Sequence, residues 1–142
     1  FNIVKDNNVL DLVKDIMNKN PVYFNEVPES IDEWFQILVN MLPEAIKTEQ
    51  LLCTGSDAGC KGTDFSTVLR EIFLMRVLGA TNQQALAYAT INPYKALGCD
   101  TRGKIVKGNI ADIVILKKNP LKDISTLLNN EAVICKGQLI SK

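Results

Sequence analysis

The chain has 142 residues, of which 46% are hydrophobic and 23% charged, with sixteen basic side chains against sixteen acidic ones. That size suits one ordinary domain with a real core, and the balanced charge argues against the basic face that binds nucleic acid or anionic membrane. It contains no histidine, so these residues alone cannot supply a Ser-His-Asp triad, a Cys-His pair or an imidazole metal ligand.

The chain starts at Phe1 with no charged-then-apolar signal segment behind it, which leads us to expect a processed or excised fragment in the cytoplasm. Asn8 to Lys19 carries Val9, Leu12, Val13, Ile16 and Met17 at helical spacing, and Asn20-Pro21 closes that segment. Pro21 to Pro28 is a connector. Ser30 with Glu33 three residues on is a capping-box pattern, and Trp34, Ile37, Leu38, Met41 and Leu42 form the apolar face of the helix it starts. Pro43 should end or kink that helix, leaving Glu44 to Thr48 as a further turn or two. Gln50 to Thr54 is a short apolar run stopped by Gly55, the pattern of a buried strand in a mostly parallel sheet. A glycine-rich loop from Gly55 to Gly62 follows.

Phe65 to Leu78 has helical periodicity and stops at Gly79, a natural residue for a helix C-terminus. Thr81 and Gln84 predict a second capping box, for a helix through Ala89. Asn92 is read as a cap with Pro93 at the first helical position and Gly98 at the end. After Gly98 the pattern changes. Lys104 to Val106 is a strand candidate, Lys107 to Asn109 a turn, and Ala111 to Leu116 a strand expected to be covered on both faces. Ala132 to Cys135 and Gln138 to Ile140 flank Lys136-Gly137 and predict a hairpin. A boundary near Arg102 therefore divides a strand-loop-helix part, 1–102, from a β-rich part, 103–142. No apolar run reaches the ~20 residues that span a bilayer. Cys53, Cys60, Cys99 and Cys135 form no CxxC pair, and each is expected to be a buried free thiol.

The feature richest in chemistry is Leu51-Leu-Cys-Thr-Gly-Ser-Asp-Ala-Gly59, which sets the Asp57 carboxylate just beyond a strand end between glycines. A carboxylate so placed can bind a metal or take a proton from a metal-bound water. Spacing alone favours the plainer alternative, an aspartate capping the next loop or turn. The order of several motifs changes that balance. Gly55-Ser-Asp-Ala-Gly59 is followed by Leu69-Arg-Glu71, Ala89-Thr-Ile-Asn-Pro93, Ala96-Leu-Gly98, Gly103-Lys-Ile-Val-Lys-Gly108, Ala111-Asp112, Asn119-Pro-Leu121 and Val133-Ile-Cys-Lys-Gly137. From about Glu44 to the end this series resembles the C-terminal portion of the amidohydrolase superfamily, nearest to imidazolonepropionase-like and Xaa-Pro dipeptidase-like members.

The resemblance implies an α/β fold: the last units of a metal-dependent (β/α)8 hydrolase barrel, followed by strands of a small composite β-sandwich. It also implies that Asp57 is both a ligand to a divalent metal, with zinc the first choice, and the general base toward the hydrolytic water. The parent enzyme would cleave an amide, cyclic amide or peptide C–N bond in a small-molecule or dipeptide-like substrate. The family's other ligands have no counterparts here, so the N-terminal remainder of the same protein is the implied partner, the isolated piece should be inactive, and a homo-oligomer is expected. Lys61-Gly62 stands where close relatives often carry His-Gly, which blurs the substrate. Two rival readings stay open: an inactive scaffold or interaction module, and an α/β domain binding a small anion at the Gly55–Gly62 loop. Arg70 and Glu71 are read as an ion pair, Asn92 as a helix cap, and Asp112 as the holder of the turn near Gly108.

Overall fold

The computed structural model describes residues 40–59 and 67–141. The expected helix 8–19, the 21–28 connector, the start of the second helix with Trp34, and Cys60 lie outside the described residues. The chain divides into two compact units, one of Phe1–Gln50 with Ser56–Ala80, the other of Leu51–Gly55 with Thr81–Lys142.

In the first unit residues 40–47 are helical without a break at Pro43. Proline removes only one donor from a helix, and the amides beyond it continue the pattern, with Thr48 N donating to the Glu44 carbonyl at 2.9 Å. The helix stops in a Schellman arrangement, Gln50 N to Ala45 O at 3.0 Å and Glu49 N to Ile46 O at 3.2 Å, with Glu49 in the left-handed region at φ 53°. The Thr67–Val77 helix ends the same way, by Ala80 N to Met75 O and Gly79 N to Arg76 O, and here the left-handed residue is the anticipated glycine. Ile72 and Met75 are buried on this helix, Leu78 and Ala80 just after it, and Ile46 on the helix before.

In the second unit the Asn82–Ala89 helix starts with the capping box foreseen in the sequence. Thr81 Oγ1 accepts from Gln84 N at 3.1 Å and Gln84 Oε1 accepts from Thr81 N at 2.8 Å. Ala85 and Tyr88, three residues apart, are its buried positions. The Ile91–Ala96 helix starts earlier than Asn92 implied. Thr90 is its N-cap residue, with no side-chain cap bond, and Asn92 lies inside the first turn. Gly98 does close it, again in the Schellman pattern, with Cys99 N donating to Tyr94 O at 2.8 Å.

Residues 104–106 are not a strand. They lie between Gly103 and Gly108, both at positive φ, and the 84% exposure of Ile105 shows how little covers them. The turn after them does form, closed by Asn109 N to Val106 O at 3.1 Å. Among the described residues the strands fall within 113–141, as an antiparallel sheet in the order β1 (Ile113–Leu116), β2 (Asn130–Cys135), β3 (Gln138–Ser141). Ile113 pairs with Ile134 and Val114 with Val133, and a register shift between Ile115 and Leu116 accommodates one extra residue. Lys136 and Gly137 both have positive φ, 50° and 80°, as a two-residue type I′ hairpin turn requires. The expectation that 111–116 is covered on both faces is overturned: β1 lies at a sheet edge, and Val114 and Ile115 are exposed. A 3-10 helix, Ile124–Leu128, connects β1 to β2, with Asp123 capping it by accepting from Ser125 N at 3.0 Å and Ser125 Oγ at 2.6 Å. Those two bonds hold the Asp123 carboxyl below its ordinary pKa.

Candidate functional site

The segment that carries Asp57 is not the buried strand its apolar letters suggested. Residues 50–57 have no strand assignment, and exposure alternates strictly from Leu51 to Gly59, the odd-numbered residues outward and the even-numbered ones half-buried. Period-two burial belongs to an extended backbone with one covered side. Leu51 and Cys53 fall on its open side, so Cys53 is an exposed thiol and not a buried one; Cys135, at the sheet end before the hairpin turn, is exposed as well, and Cys99 is half-buried. All three are free.

Ala58 makes a single β-bridge, and among the described residues individual bonds hold Leu52 and Thr54. Thr54 N donates to the Tyr88 carbonyl at 2.8 Å, and Thr54 Oγ1 lies 3.4 Å from the same oxygen. The Asn92 carboxamide Nδ2 donates to the Leu52 carbonyl at 2.9 Å. Asn92 is thus a long-range tie, not the cap its place before Pro93 implied. No local pattern could have revealed this, since its acceptor is a main-chain atom forty residues earlier.

Asp57 itself is exposed and adopts the left-handed conformation at φ 47°, followed by Gly59 at φ 112°. Aspartate tolerates that region better than most side chains, and the turn ends the extended run at the carboxylate. Asp112 is placed quite differently. Its Oδ1 accepts from Lys136 N at 2.8 Å and its Oδ2 is paired with Arg102 Nη1. The Lys136 amide, then the Arg102 charge, hold its carboxyl below the ordinary carboxylate pKa. The structural role read for Asp112 stands, but the turn it braces is Lys136–Gly137 and not the one near Gly108. Arg70 and Glu71 lie on the Thr67–Val77 helix.

Among the described residues no three His, Cys, Asp or Glu side chains cluster so as to hold a metal ion. Asp57 has the chemistry of a single oxygen donor, and these residues do not make a complete metal site on their own. Among the described residues no helix is long and apolar enough to cross a membrane. A shallow cavity of about 330 Å³ is lined by Ile91, Lys95, Cys99, Asp100, Arg102 and Lys104, and Asp57 is not part of it.

The amidohydrolase family profile matches residues 8–140. The chain belongs to the amidohydrolase family. No curated protein sequence matches this amidohydrolase chain. Among solved structures it is similar to a Xaa-Pro dipeptidase with methionine bound in the active site, at 29% identity and a TM-score of 0.65, over 74% of this chain and 26% of that one. It is similar also to molinate hydrolase, at 26% identity and 0.62, over 70% of this chain and 25% of the other. A prolidase complexed with N-methylphosphonate-L-proline gives 25% identity and 0.67, over 90% of this chain and 33% of that one. The chain therefore spans about a quarter to a third of the length of these relatives. The family match and these likenesses support a TIM-barrel-like α/β fold.

Proposed function

We propose that this chain is part of a metal-dependent amidohydrolase that cleaves amide or peptide C–N bonds, with dipeptide-like substrates as the first class to test. The observation that carries the reading is the family match across nearly the whole chain. The similarity to a Xaa-Pro dipeptidase and a prolidase supports the substrate class. In this reading residues 1–102 are the last strand-helix units of the barrel, and 103–142 are strands of a composite β-sandwich. The remaining walls of the active site come from the N-terminal remainder of the same protein.

A divalent metal, zinc by preference, supplies when bound the charge that polarises the scissile carbonyl and acidifies water. Asp57 contributes one carboxylate oxygen and accepts a proton from that water. Its exposure and its position at the end of an extended run suit that task. The exposed apolar side chains of the 51–54 run and of β1 and β3 suit contact with further polypeptide, either that remainder or a second copy in a homo-oligomer. A cytoplasmic setting completes the proposal and fits free thiols.

The test is an assay of the complete polypeptide that contains these residues, on a panel of Xaa-Pro dipeptides, before and after chelation and zinc restoration. Hydrolysis that is lost on chelation and regained with zinc is the expected result. Hydrolysis that persists unchanged without metal would refute the metal dependence. The 142 residues alone should show no turnover, and zinc-dependent activity from them would refute the need for the missing walls.

A further inference from the structure

The cavity bounded by Ile91, Lys95, Cys99, Asp100, Arg102 and Lys104 has no part in the chemistry read for Asp57, and its wall lies wholly within the unit Leu51–Gly55 with Thr81–Lys142. That wall is a short loop braced at both ends. At one end Gly98 closes the Ile91–Ala96 helix, with Gly98 N donating to Lys95 O at 3.1 Å and Cys99 N to Tyr94 O at 2.8 Å. At the other, Gly103 comes so close to the start of the helix that a Cβ would fall 2.7 Å from the Thr90 carbonyl oxygen. Between these points Ile110 N donates to Thr101 O at 3.0 Å, and Arg102 is paired with Asp112. Contacts within the chain thus shape the hollow before any ligand arrives, which lowers the ordering cost of binding.

The lining combines two chemistries. Ile91, Gly98 and the half-buried Cys99 give it an apolar part. Lys95, Arg102 and Lys104 bring three positive charges against the single negative charge of Asp100. Among the described residues neither Lys95 nor Lys104 has an ion-pair partner. Arg102 meets Asp112 through Nη1, one nitrogen of a guanidinium that carries five N–H donors. The volume of about 330 Å³ stands at the lower end of the range for small-molecule sites, about 300–1,000 Å³. A small hollow that is partly apolar and carries excess positive charge selects a ligand of few atoms with one apolar and one anionic end.

We propose that this cavity binds a small monocarboxylate bearing a compact apolar group, with the carboxylate held by Lys95 and Lys104 and the apolar group against Ile91. Both lysines are exposed, so the attraction is screened by salt and the affinity falls as ionic strength rises. The site stands apart from the role given to Asp57, and its test needs no hydrolytic activity.

The experiment uses the complete polypeptide, with hexanoate as the probe and hexanol and inorganic phosphate as comparisons. Cys99 is the reporter: its alkylation by iodoacetamide is followed by site-resolved mass spectrometry, with the exposed Cys53 and Cys135 as internal references. Hexanoate at ten times the midpoint of its titration should slow alkylation of Cys99 by about tenfold and leave the two references unchanged. Lys95→Gln and Lys104→Gln should each weaken that protection, and Asp100→Asn should strengthen it. Lys117→Gln, the same change of charge at an exposed position after β1, should leave it as it was. All four side chains are exposed, so these substitutions do not reach a core. Absence of protection by hexanoate would overturn the proposal. Equal protection by hexanol would remove the role of the charges, and equal protection by phosphate that of the apolar part; either result sinks it. Lysine variants indistinguishable from Lys117→Gln, or an Asp100→Asn protein with unaltered or weaker protection, would do the same. A Cys99 already inert to iodoacetamide without ligand would show the cavity covered by other polypeptide, and that too would end the proposal.

Discussion

Two aspartates, Asp57 and Asp112, each lie within a few residues of glycine and each follow or precede an extended segment, yet the structure places them differently. Asp112 has one oxygen on the Lys136 amide and the other on Arg102, and through them it ties the hairpin turn to the approach to β1. Asp57 is exposed, in a left-handed turn at the end of a run whose own anchors are at Leu52 and Thr54. A carboxylate with both oxygens committed to fixed donors is a brace. Asp57 presents its carboxylate at an exposed turn, and the role given to it is the one proposed above. The comparison teaches that a familiar motif around an aspartate says little until its donors are located.

The contrast can be tested by substitution. The largest effect is expected at Asp57: in the complete enzyme Asp57→Asn should lower kcat by about a thousandfold, the scale of a lost general base, while a thermal melt shows the fold intact. Asp112→Asn should instead leave KM and kcat close to the parent values, and appreciable loss of activity there would erase the distinction between the two acids.

Next comes Gly103, which precedes the Asp112 region. A Cβ there would lie 2.7 Å from the Thr90 carbonyl oxygen and 2.9 Å from the Ile91 Cα, at φ +79°. Gly103→Ala should therefore destabilise by on the order of 3 kcal/mol, combining a left-handed alanine with an overpacked backbone contact. Gly55 has nothing within 4 Å of the same position, so Gly55→Ala is the matched control and should cost far less in a denaturant titration. Thr81→Ala removes the side-chain acceptor of the capping box and should cost about 1 kcal/mol by the same titration.

The smallest effect is the pH dependence of the brace. The folded-state pKa of Asp112 is depressed, so its contribution is present above the unfolded carboxylate value of ~3.9 and is lost as pH falls through the folded pKa below it. Parent and Asp112→Asn proteins should thus differ in melting temperature at neutral pH and converge as the solution is acidified. A difference that grows on acidification would contradict the sign.

Much of the local structure was legible because its causes are local. The Thr81–Gln84 box, the helix stops at Gly79 and Gly98, and the Lys136–Gly137 turn each depend on atoms within six residues of one another. The misread elements all depend on distant partners. Asn92 beside Pro93 looks like a cap, and its actual acceptor is the carbonyl of Leu52. Lys104 to Val106 has strand-like letters, but a strand needs a neighbour and the described residues give it none. The Gln50–Thr54 run reads as a buried strand of a mostly parallel sheet, although apolar letters cannot tell a buried strand from an extended segment with one open side. The sequence reading sets Asp57 just beyond the end of a buried strand; the structure has it exposed after an extended run without strand assignment, and the bonds at Leu52 and Thr54 are not foreseen.

Family membership and the capped helices could be read from the chain because ordered motifs and short-range hydrogen bonds are written in adjacent letters. The partners of Asn92 and Asp112, the edge position of β1 and the open side of the 51–59 run required coordinates. The first two are contacts between residues far apart in the chain, which only the folded backbone brings within 3 Å, and the last two depend on which neighbours the fold supplies.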